Sequence, residues 1–219
     1  MKRTLKVTGK GKISVKPDLV RVLITQTHLE ETYEGAMRES GEKKDALSAA
    51  LSAVGFRKDA LKTLAFRVDT EYEGYEAEDK SWKQRLTGYR YHHQMKLEFP
   101  ADHAMLGKVL TAIAKCPGEP DISIYYAASD PESVKNELLA KAVEDAKKKA
   151  NVLSMAAGVR LSEIVCINYS FDEADIVSVP MMNGKCRAAK ASESTEMSLN
   201  LDVDDIDVTD TVTVVWEIA

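Results

Sequence analysis

The stretch SDPESVKNELLAKAVEDAKKKANVLSMAAGVRLSEIVCINYS, residues 129–170, predicts a long helix that is followed directly by a strand. Asp130 can accept hydrogen bonds from the free amides of the first turn, and Pro131 suits the first helical position, where its missing N–H costs nothing. Gly158 can adopt the left-handed conformation that ends a helix. The residues after it are apolar and rich in β-branched side chains, which predicts a strand.

One face of this helix is predicted to pack against other parts of the chain. Apolar side chains recur along it at steps of three and four residues, whereas the charged residues point elsewhere. The middle of the apolar stripe is alanine, so the helix axis can approach a sheet or another helix closely. The stripe consists of Val134, Leu138, Ala142, Ala146, Ala150, Leu153 and Ala157.

The remaining segments predict strands on both sides of a helical middle. Residues 5–15 and 19–29 are predicted to form a hairpin around Pro17 and Asp18. Helices are predicted at 32–54, with Thr32 as the N-cap, and at 101–115. Such an order indicates an α+β fold, a hairpin-based antiparallel or mixed sheet packed by helices. Further strands are predicted at 61–75, 86–99, 121–127, 197–203 and 209–218.

Composition excludes several classes of protein. A content of 44% hydrophobic residues in 219 residues suffices for a hydrophobic core. The net charge of −5 argues against nucleic-acid binding, because no basic face is present to release counterions. No apolar segment reaches the ~20 residues of a membrane span, and the N-terminus lacks the apolar core of a signal peptide. Because Cys116, Cys166 and Cys186 are odd in number and outside any CxxC pair, we expect reduced thiols and a cytoplasmic protein.

The segment Gly9-Lys10-Gly11-Lys12 invites comparison with a phosphate-binding loop. That loop requires GxxxxGK followed by serine or threonine, between a strand and a helix. Here Ile13 follows the lysine, and the glycines lie within a predicted strand. A bulge in that strand is therefore the favoured interpretation.

The histidines and a run of acidic residues near the C-terminus are candidate metal ligands. His92 and His93 are adjacent on a predicted strand and point to opposite faces, so a zinc site would need His28 or His103 brought close by folding. The acidic run resembles a calcium loop but lacks the glycine at its sixth position and the glutamate at its twelfth. An exposed sheet edge protected by charge is the favoured interpretation of the run. It comprises Asp202, Asp204, Asp205, Asp207 and Asp210.

Two further features remain open in the sequence. Five aromatic residues surround one connection, and they suit an interface, a pocket lid or simple core packing equally well. Residues 171–196 have mixed composition and no periodicity, which predicts a long loop. We therefore assign no catalytic, cofactor-binding or metal-binding residue and expect no cofactor. The aromatic residues are Tyr72, Tyr75, Trp82, Tyr89 and Tyr91.

Five segments follow one another along the chain: VTGKGKISVKPDLVRV, AxxxSGEKKDALSAALSAVGF, GYRYHHQMKLEF, SDPESVKNELLAKAVEDAKKKANVLSMAAGV and DIDVTDTVTVVWEI. In this order they resemble the SIMPL family, also called DUF541. The resemblance covers essentially the whole chain, 1–219, as a single SIMPL-like unit. It implies one subdomain of 1–85 plus 159–219, and an inserted subdomain at 86–158 that resembles a ferredoxin-like fold.

The same resemblance implies self-assembly and no established enzymatic activity, and it supplies no catalytic residue. Many bacterial relatives act in the cell envelope, often in stress resistance, whereas this chain shows no signal peptide. We therefore expect a non-enzymatic, self-associating protein that serves in stress response or as an interaction scaffold. The alternative is a small-molecule-binding protein or an enzyme with a pocket under the 171–196 loop.

Overall fold

A computed structural model describes residues 3–78, 80–169, 177–178 and 203–219. Within these residues the chain forms three helices and eight strands. The helices are α1 (Tyr33–Ala53), α2 (His103–Ala114) and α3 (Pro131–Ala157). The strands are β1 (Thr4–Val15), β2 (Leu19–Glu30), β3 (Lys62–Glu76), β4 (Trp82–Pro100), β5 (Asp121–Ala127), β6 (Leu161–Asn168), β7 (Val177–Ser178) and β8 (Ile206–Ile218). The strand predicted at 197–203 falls almost wholly outside the described residues.

The strands form two antiparallel sheets, which confirms the predicted α+β class. Their orders are β1-β8-β6 and β3-β4-β2-β5-β7. The predicted hairpin of 5–15 with 19–29 is wrong, because β1 pairs with β8 and β2 pairs with β4. The short link between β1 and β2 instead carries the chain from one sheet to the other. The Asp18 carboxylate anchors it by accepting hydrogen bonds from Ser129 N and Oγ, both at 2.6 Å.

The chain divides into two compact units. The α3 unit includes the described residues 3–18, 127–169 and 203–219, and the α1–α2 unit includes 19–126. The predicted division at 85/86 and 158/159 does not coincide with these units, because β4 continues across 85 and 86 and α3 belongs with β1 and β8. The ferredoxin-like description of 86–158 stays a prediction. A β-α-β-β-α-β succession, β2-α1-β3-β4-α2-β5, lies at 19–126.

The predicted ends of the long helices are confirmed. The Thr32 side chain accepts a hydrogen bond from Gly35 N at the start of α1. Asp130 accepts one from Ser133 N at the start of α3, and Gly158 ends α3 with a φ of 67°. These ends were predictable because each depends on residues within four positions of one another.

In the α3 unit, two glycines of β1 allow α3 to approach the sheet. The bulge predicted at Gly9 to Lys12 is wrong, since β1 and β8 keep an unbroken register throughout. A Cβ atom placed at Gly9 would lie 2.7 Å from Ala146 Cβ, and one at Gly11 would collide with the backbone of Leu138. The glycines are therefore required by close backbone approach.

The buried face of α3 follows four-residue steps. Leu153 and Ala157, predicted on the stripe, are exposed, and Ser154 is buried instead. A row of residues four apart is inclined to the helix axis, so the contact with the sheet drifts toward Ser154. The buried residues of α3 are Leu138, Ala142, Ala146, Ala150 and Ser154.

The first testable prediction concerns this contact. Replacing Ala146 with leucine should lower the free energy of unfolding by about 1–3 kcal/mol, because the site has no room for a longer side chain. Lys148 is 72% exposed and pairs with Glu144 one turn away, so Lys148→Ala should leave stability almost unchanged. Chemical denaturation of both variants checks the prediction. Equal unfolding midpoints would contradict this orientation of α3.

The core of the α1–α2 unit lies between its sheet and the two helices. α1 packs on β2 and β4 as well as on α2. The apolar residues of these elements fill the interior and so fix the position of α1 over the sheet. The fully buried ones include Val20, Val22, Ile24, Leu47, Leu51, Met95, Leu97, Leu106 and Ile113.

Candidate functional site

One face of β2 changes from apolar to polar along its length. After the buried valines and isoleucine at its start, Gln26, His28 and Glu30 follow at two-residue steps and so share that face. In β4, Tyr91 lies opposite His28 and His93 lies opposite Gln26. These polar side chains therefore lie between the sheet and α1, next to the hydrophobic core.

His93 is buried and fully hydrogen-bonded. Its Nδ1 lies 2.9 Å from Ser40 Oγ, and its Nε2 lies 2.9 Å from Thr63 Oγ1. Burial lowers the pKa of His93, and the positive charge of Lys44 lowers it further. Both ring nitrogens are occupied by hydroxyl groups, so His93 acts as a structural residue.

His28, Glu30 and Glu39 form a compact group at the open end of this polar face. His28 Nε2 lies 3.6 Å from Glu30 Oε1 and 3.7 Å from Glu39 Oε1. The Lys43 ammonium forms an ion pair with Glu39 Oε1. The ligand atoms of the histidine and the two glutamates all lie within 4.8 Å of one another. We call these three residues the His28 cluster.

The pKa values of the two carboxyl groups of the His28 cluster are shifted in opposite directions. A hydrogen bond with Glu39 raises the pKa of Glu30, and partial burial adds to the effect. Burial would raise the pKa of Glu39, but hydrogen bonds from Glu30 and Lys43 outweigh it and lower that pKa. Glu30 is therefore the better proton donor of the pair, and Glu39 is the carboxylate that pairs with Lys43.

Buried polar atoms without hydrogen bonds adjoin the His28 cluster. Tyr91 is 0% exposed, and its hydroxyl makes no hydrogen bond of acceptable geometry. The amide group of Gln26 and Glu39 Oε2 are also buried without partners. Lys43 Nζ lies 5.7 Å from the centre of the Tyr91 ring. Buried polar groups are nearly always paired, so these atoms are available to a water molecule or a ligand.

The other histidines are placed apart from the His28 cluster. His92 and His93 do point to opposite faces, because His92 hydrogen-bonds Thr27 Oγ1 at 3.1 Å while His93 faces α1. His103 packs near the ring of Tyr126. Of the two partners considered for a zinc site, only His28 joins a set of possible ligands in the described part of the chain.

The acidic run does not gather into a ligand set within the described residues. Asp207 pairs with Lys12 Nζ at 2.9 Å and accepts a hydrogen bond from Ser14 Oγ at 2.8 Å. β8 pairs with β1 over its whole length but with β6 only from Thr213 onward. The segment before Thr213, which holds Asp207 and Asp210, thus pairs with one described strand. Asp202 lies outside the described residues.

The five aromatic residues that the sequence placed around one connection differ in their exposure. Tyr91 is buried and Tyr89 is half-buried against Tyr33, whereas the other three extend into solvent on β3 and β4. Beyond the pair of Glu30 with Tyr89, β4 continues with β3 alone. We call residues 71–76 and 82–88 the β3–β4 ribbon. Its exposed aromatic residues are Tyr72, Tyr75 and Trp82.

A second exposed apolar surface lies on β6. α3 packs mainly on β1 and β8 and barely contacts β6. Ile164, Val165 and Ile167 are each between 43% and 55% exposed. Val152 and Met155, near the end of α3, are exposed as well.

The described residues include two open grooves. One lies at the tip of the ribbon against Tyr75, Glu76 and Lys83, and the other lies beside α3 against Val7 and Val152. The pocket predicted under the 171–196 loop lies outside the described residues. No described helix has the length and apolar character that a membrane crossing requires.

Comparison with known proteins identifies the family. Residues 5–216 match SIMPL, described as a protein of unknown function (DUF541). The chain belongs to the SIMPL family. The match spans both compact units, so the resemblance inferred from five short segments is confirmed over nearly the whole chain.

Two relatives of this SIMPL chain are 26 kDa periplasmic immunogenic proteins from Brucella melitensis biotype 1 and Brucella abortus. Each is 24% identical over 162 residues, which is 74% of this chain. The chain spans 64% of the length of these relatives.

Sequence reasoning missed the His28 cluster for a physical reason. His28 and Glu30 are two residues apart on one strand, and that spacing places them on one face. Glu39 comes from the second turn of α1, and its approach depends on how α1 crosses the sheet. The signal in the sequence was a histidine and a glutamate at the end of a strand, immediately before a capped helix.

Proposed function

We propose that this SIMPL-family chain is a non-enzymatic protein that self-associates through the β3–β4 ribbon. The observation that supports this most strongly is the exposure of Trp82, which is 77% exposed, together with Tyr72 at 56%. Isolated two-stranded hairpins are only marginally stable in water, so a ribbon of this length gains from a partner surface. Tryptophan and tyrosine are also enriched at protein interfaces.

The charges of the ribbon favour a second copy of the chain as the partner. Arg85 pairs with Glu73 at 2.8 Å across the ribbon, and Arg90 pairs with Glu71 at its base. With these charges neutralised in place, two identical ribbons can meet about a two-fold axis with fewer opposed like charges. The aromatic side chains are then the groups that become buried.

The described cysteines support a non-enzymatic role. Burial raises the pKa of the Cys116 thiol, which disfavours the reactive thiolate. Cys166 Sγ donates to Asn168 Oδ1 at 3.2 Å rather than contacting a histidine. Neither thiol is therefore arranged as an activated nucleophile.

The second testable prediction concerns the proposed contact between the β3–β4 ribbons of two copies of the chain. The intact chain should be oligomeric by light scattering at high micromolar concentration, and Trp82→Glu should shift it toward monomer. A charge at the centre of an apolar contact is costly to bury. Met155→Glu is the matched control, because Met155 is 74% exposed but lies on α3.

Far-UV circular dichroism should show that both variants remain folded. A monomeric parent protein would contradict self-association. Dissociation by Met155→Glu but not by Trp82→Glu would instead place the contact on the surface formed by α3 and β6.

Cytoplasmic location and a role in stress response belong to the same proposal. The free thiols of Cys116 and Cys166 support a reducing compartment. The relatives named above are called periplasmic, so cell fractionation of the native host is the direct test. Recovery with periplasmic markers would contradict a cytoplasmic location. The stress role is supported by the family resemblance, and loss of the gene without a change in stress survival would contradict it.

A further inference from the structure

The geometry points to a binding site for one divalent transition-metal ion of the zinc class, formed by His28 Nε2, Glu30 Oε1 and Glu39 Oε1. In this site Lys43 is the cation that occupies Glu39 when the metal is absent. The inference does not depend on self-association, because all four residues lie within the α1–α2 unit.

The distances suit a tetrahedral ion. Zinc binds histidine nitrogen and carboxylate oxygen at about 2.0–2.2 Å, so two ligand atoms of a tetrahedron lie about 3.3–3.6 Å apart. His28 Nε2 is already 3.6 Å and 3.7 Å from the two glutamate oxygens. Small side-chain rotations would therefore complete the set. His28 and Glu30 are fixed by β2, and Glu39 is fixed by α1.

Unpaired buried atoms supply an independent reason to expect a ligand. The Tyr91 side chain is 0% exposed, and its hydroxyl lies near the Lys43 ammonium without a hydrogen bond of acceptable geometry. Tyr91 lies opposite His28 in the register of β2 and β4. Lys43 Nζ lies 5.7 Å from the centre of its ring, which places Tyr91 beside the cluster. A water molecule on the open position of a bound ion would give this hydroxyl a partner.

Lys43 and the metal ion would compete for the same carboxylate oxygen. Its ammonium pairs with Glu39 Oε1, the oxygen assigned to the metal. Glu39 Oε2 is buried and has no partner, so Lys43 has a second oxygen to contact when the ion binds. Removing the ammonium leaves the carboxylate without its cation and should strengthen metal binding.

The ligand types favour zinc over calcium or magnesium. Imidazole suits zinc, copper, iron and nickel, whereas calcium and magnesium prefer all-oxygen sites with more ligands. Excess magnesium should therefore not displace zinc from this cluster.

Calorimetric titration of the metal-free, tag-free full chain with zinc ions tests the proposal. We expect one ion per chain. His28→Asn should lower the affinity at least about tenfold, since it removes one of three protein ligands. Glu39→Gln should have a similar effect, and Lys43→Met should raise the affinity by about tenfold. Cobalt substitution should give the intense visible absorption of a four-coordinate ion in the parent chain and lose it in His28→Asn.

His92→Asn is the matched control. His92 also has a carboxylate nearby, with Asp69 at 3.9 Å, but it lies on the opposite face of the sheet. Its replacement should leave zinc affinity unchanged. His28 is half-exposed, so His28→Asn should fold normally and keep the test valid even if Glu39→Gln does not fold. Failure to bind zinc, affinity that survives in His28→Asn, or affinity that Lys43→Met does not raise would overturn the proposal.

Discussion

Gly9→Ala should destabilise the α3 unit by more than about 3 kcal/mol. Ordinary overpacking costs about 1–3 kcal/mol, because neighbouring side chains can move aside. Here the added Cβ would collide with the carbonyl oxygen of Ala142 and lie 2.5 Å from Ala146 N. Both atoms belong to the backbone of α3, so the helix itself would have to move away from β1. The urea midpoint of unfolding is the measurement.

Gly41→Ala is the control for this substitution. Gly41 lies within α1, and a Cβ placed there meets no atom within 4 Å. Alanine is the better helix former, so this change should stabilise the protein by about 0.5–1 kcal/mol. If both alanine variants shift the midpoint in the same direction, the close contact between β1 and α3 is not as described.

The contact between Gly9 and α3 also shows which parts of the fold were predictable. The alanines of α3 indicated close packing before its partner was known. The partner could not be read from the sequence, because Gly9 pairs in register with Val212 near the other end of the chain. The glycines of β1 suggested a bulge only while β1 was considered alone. Once α3 lies across them, the same glycines are a requirement of packing.

The incorrect prediction of a hairpin between residues 5–15 and 19–29 has a similar origin. Two alternating segments separated by Pro17 and Asp18 favour a hairpin when only local sequence is considered. The competing arrangement depends on Ser129, whose amide and hydroxyl both donate to the Asp18 carboxylate. That contact spans more than a hundred residues of chain, so no local pattern signals it. Caps such as Thr32 were predictable because their partners lie within one helical turn.

The candidate metal site shows the same limit. The sequence placed His92 and His93 on opposite faces correctly, because strand alternation is a local property. It gave no preference between His28 and His103 as possible ligands. That choice depends on α1, which places Glu39 beside His28 and Ser40 beside His93. The contacts that α1 makes therefore distinguish the two histidines. His28 is half-exposed and lies among carboxylates, whereas His93 is buried and lies among hydroxyl groups.

His93→Ala should lower the free energy of unfolding by about 3 kcal/mol at neutral pH. The change removes a ring that is 5% exposed and packs edge-on against Phe66. It also leaves the hydroxyl of Ser40 buried without its partner, and an unpaired buried group alone costs about 1–3 kcal/mol. His92→Ala should have a much smaller effect, because His92 is partly exposed and its contacts with Thr27 and Asp69 are also exposed.

The same variant should also change how stability depends on pH. Burial, together with the charge of Lys44, holds the pKa of His93 below its usual value of 6.5. As the pH falls below 6.5, the unfolded chain binds a proton that the folded chain does not. Stability should therefore decrease, by at most about 1.4 kcal/mol per pH unit for one proton, until the pH passes the lower pKa of the folded state.

His93→Ala lacks this group in both states, so its stability should fall less steeply than that of the parent between pH 6.5 and the lower, folded-state pKa of His93. Urea denaturation at closely spaced pH values in this range gives both slopes. Parallel curves for the parent and His93→Ala would mean that His93 accepts a proton in the folded state despite its burial and the charge of Lys44.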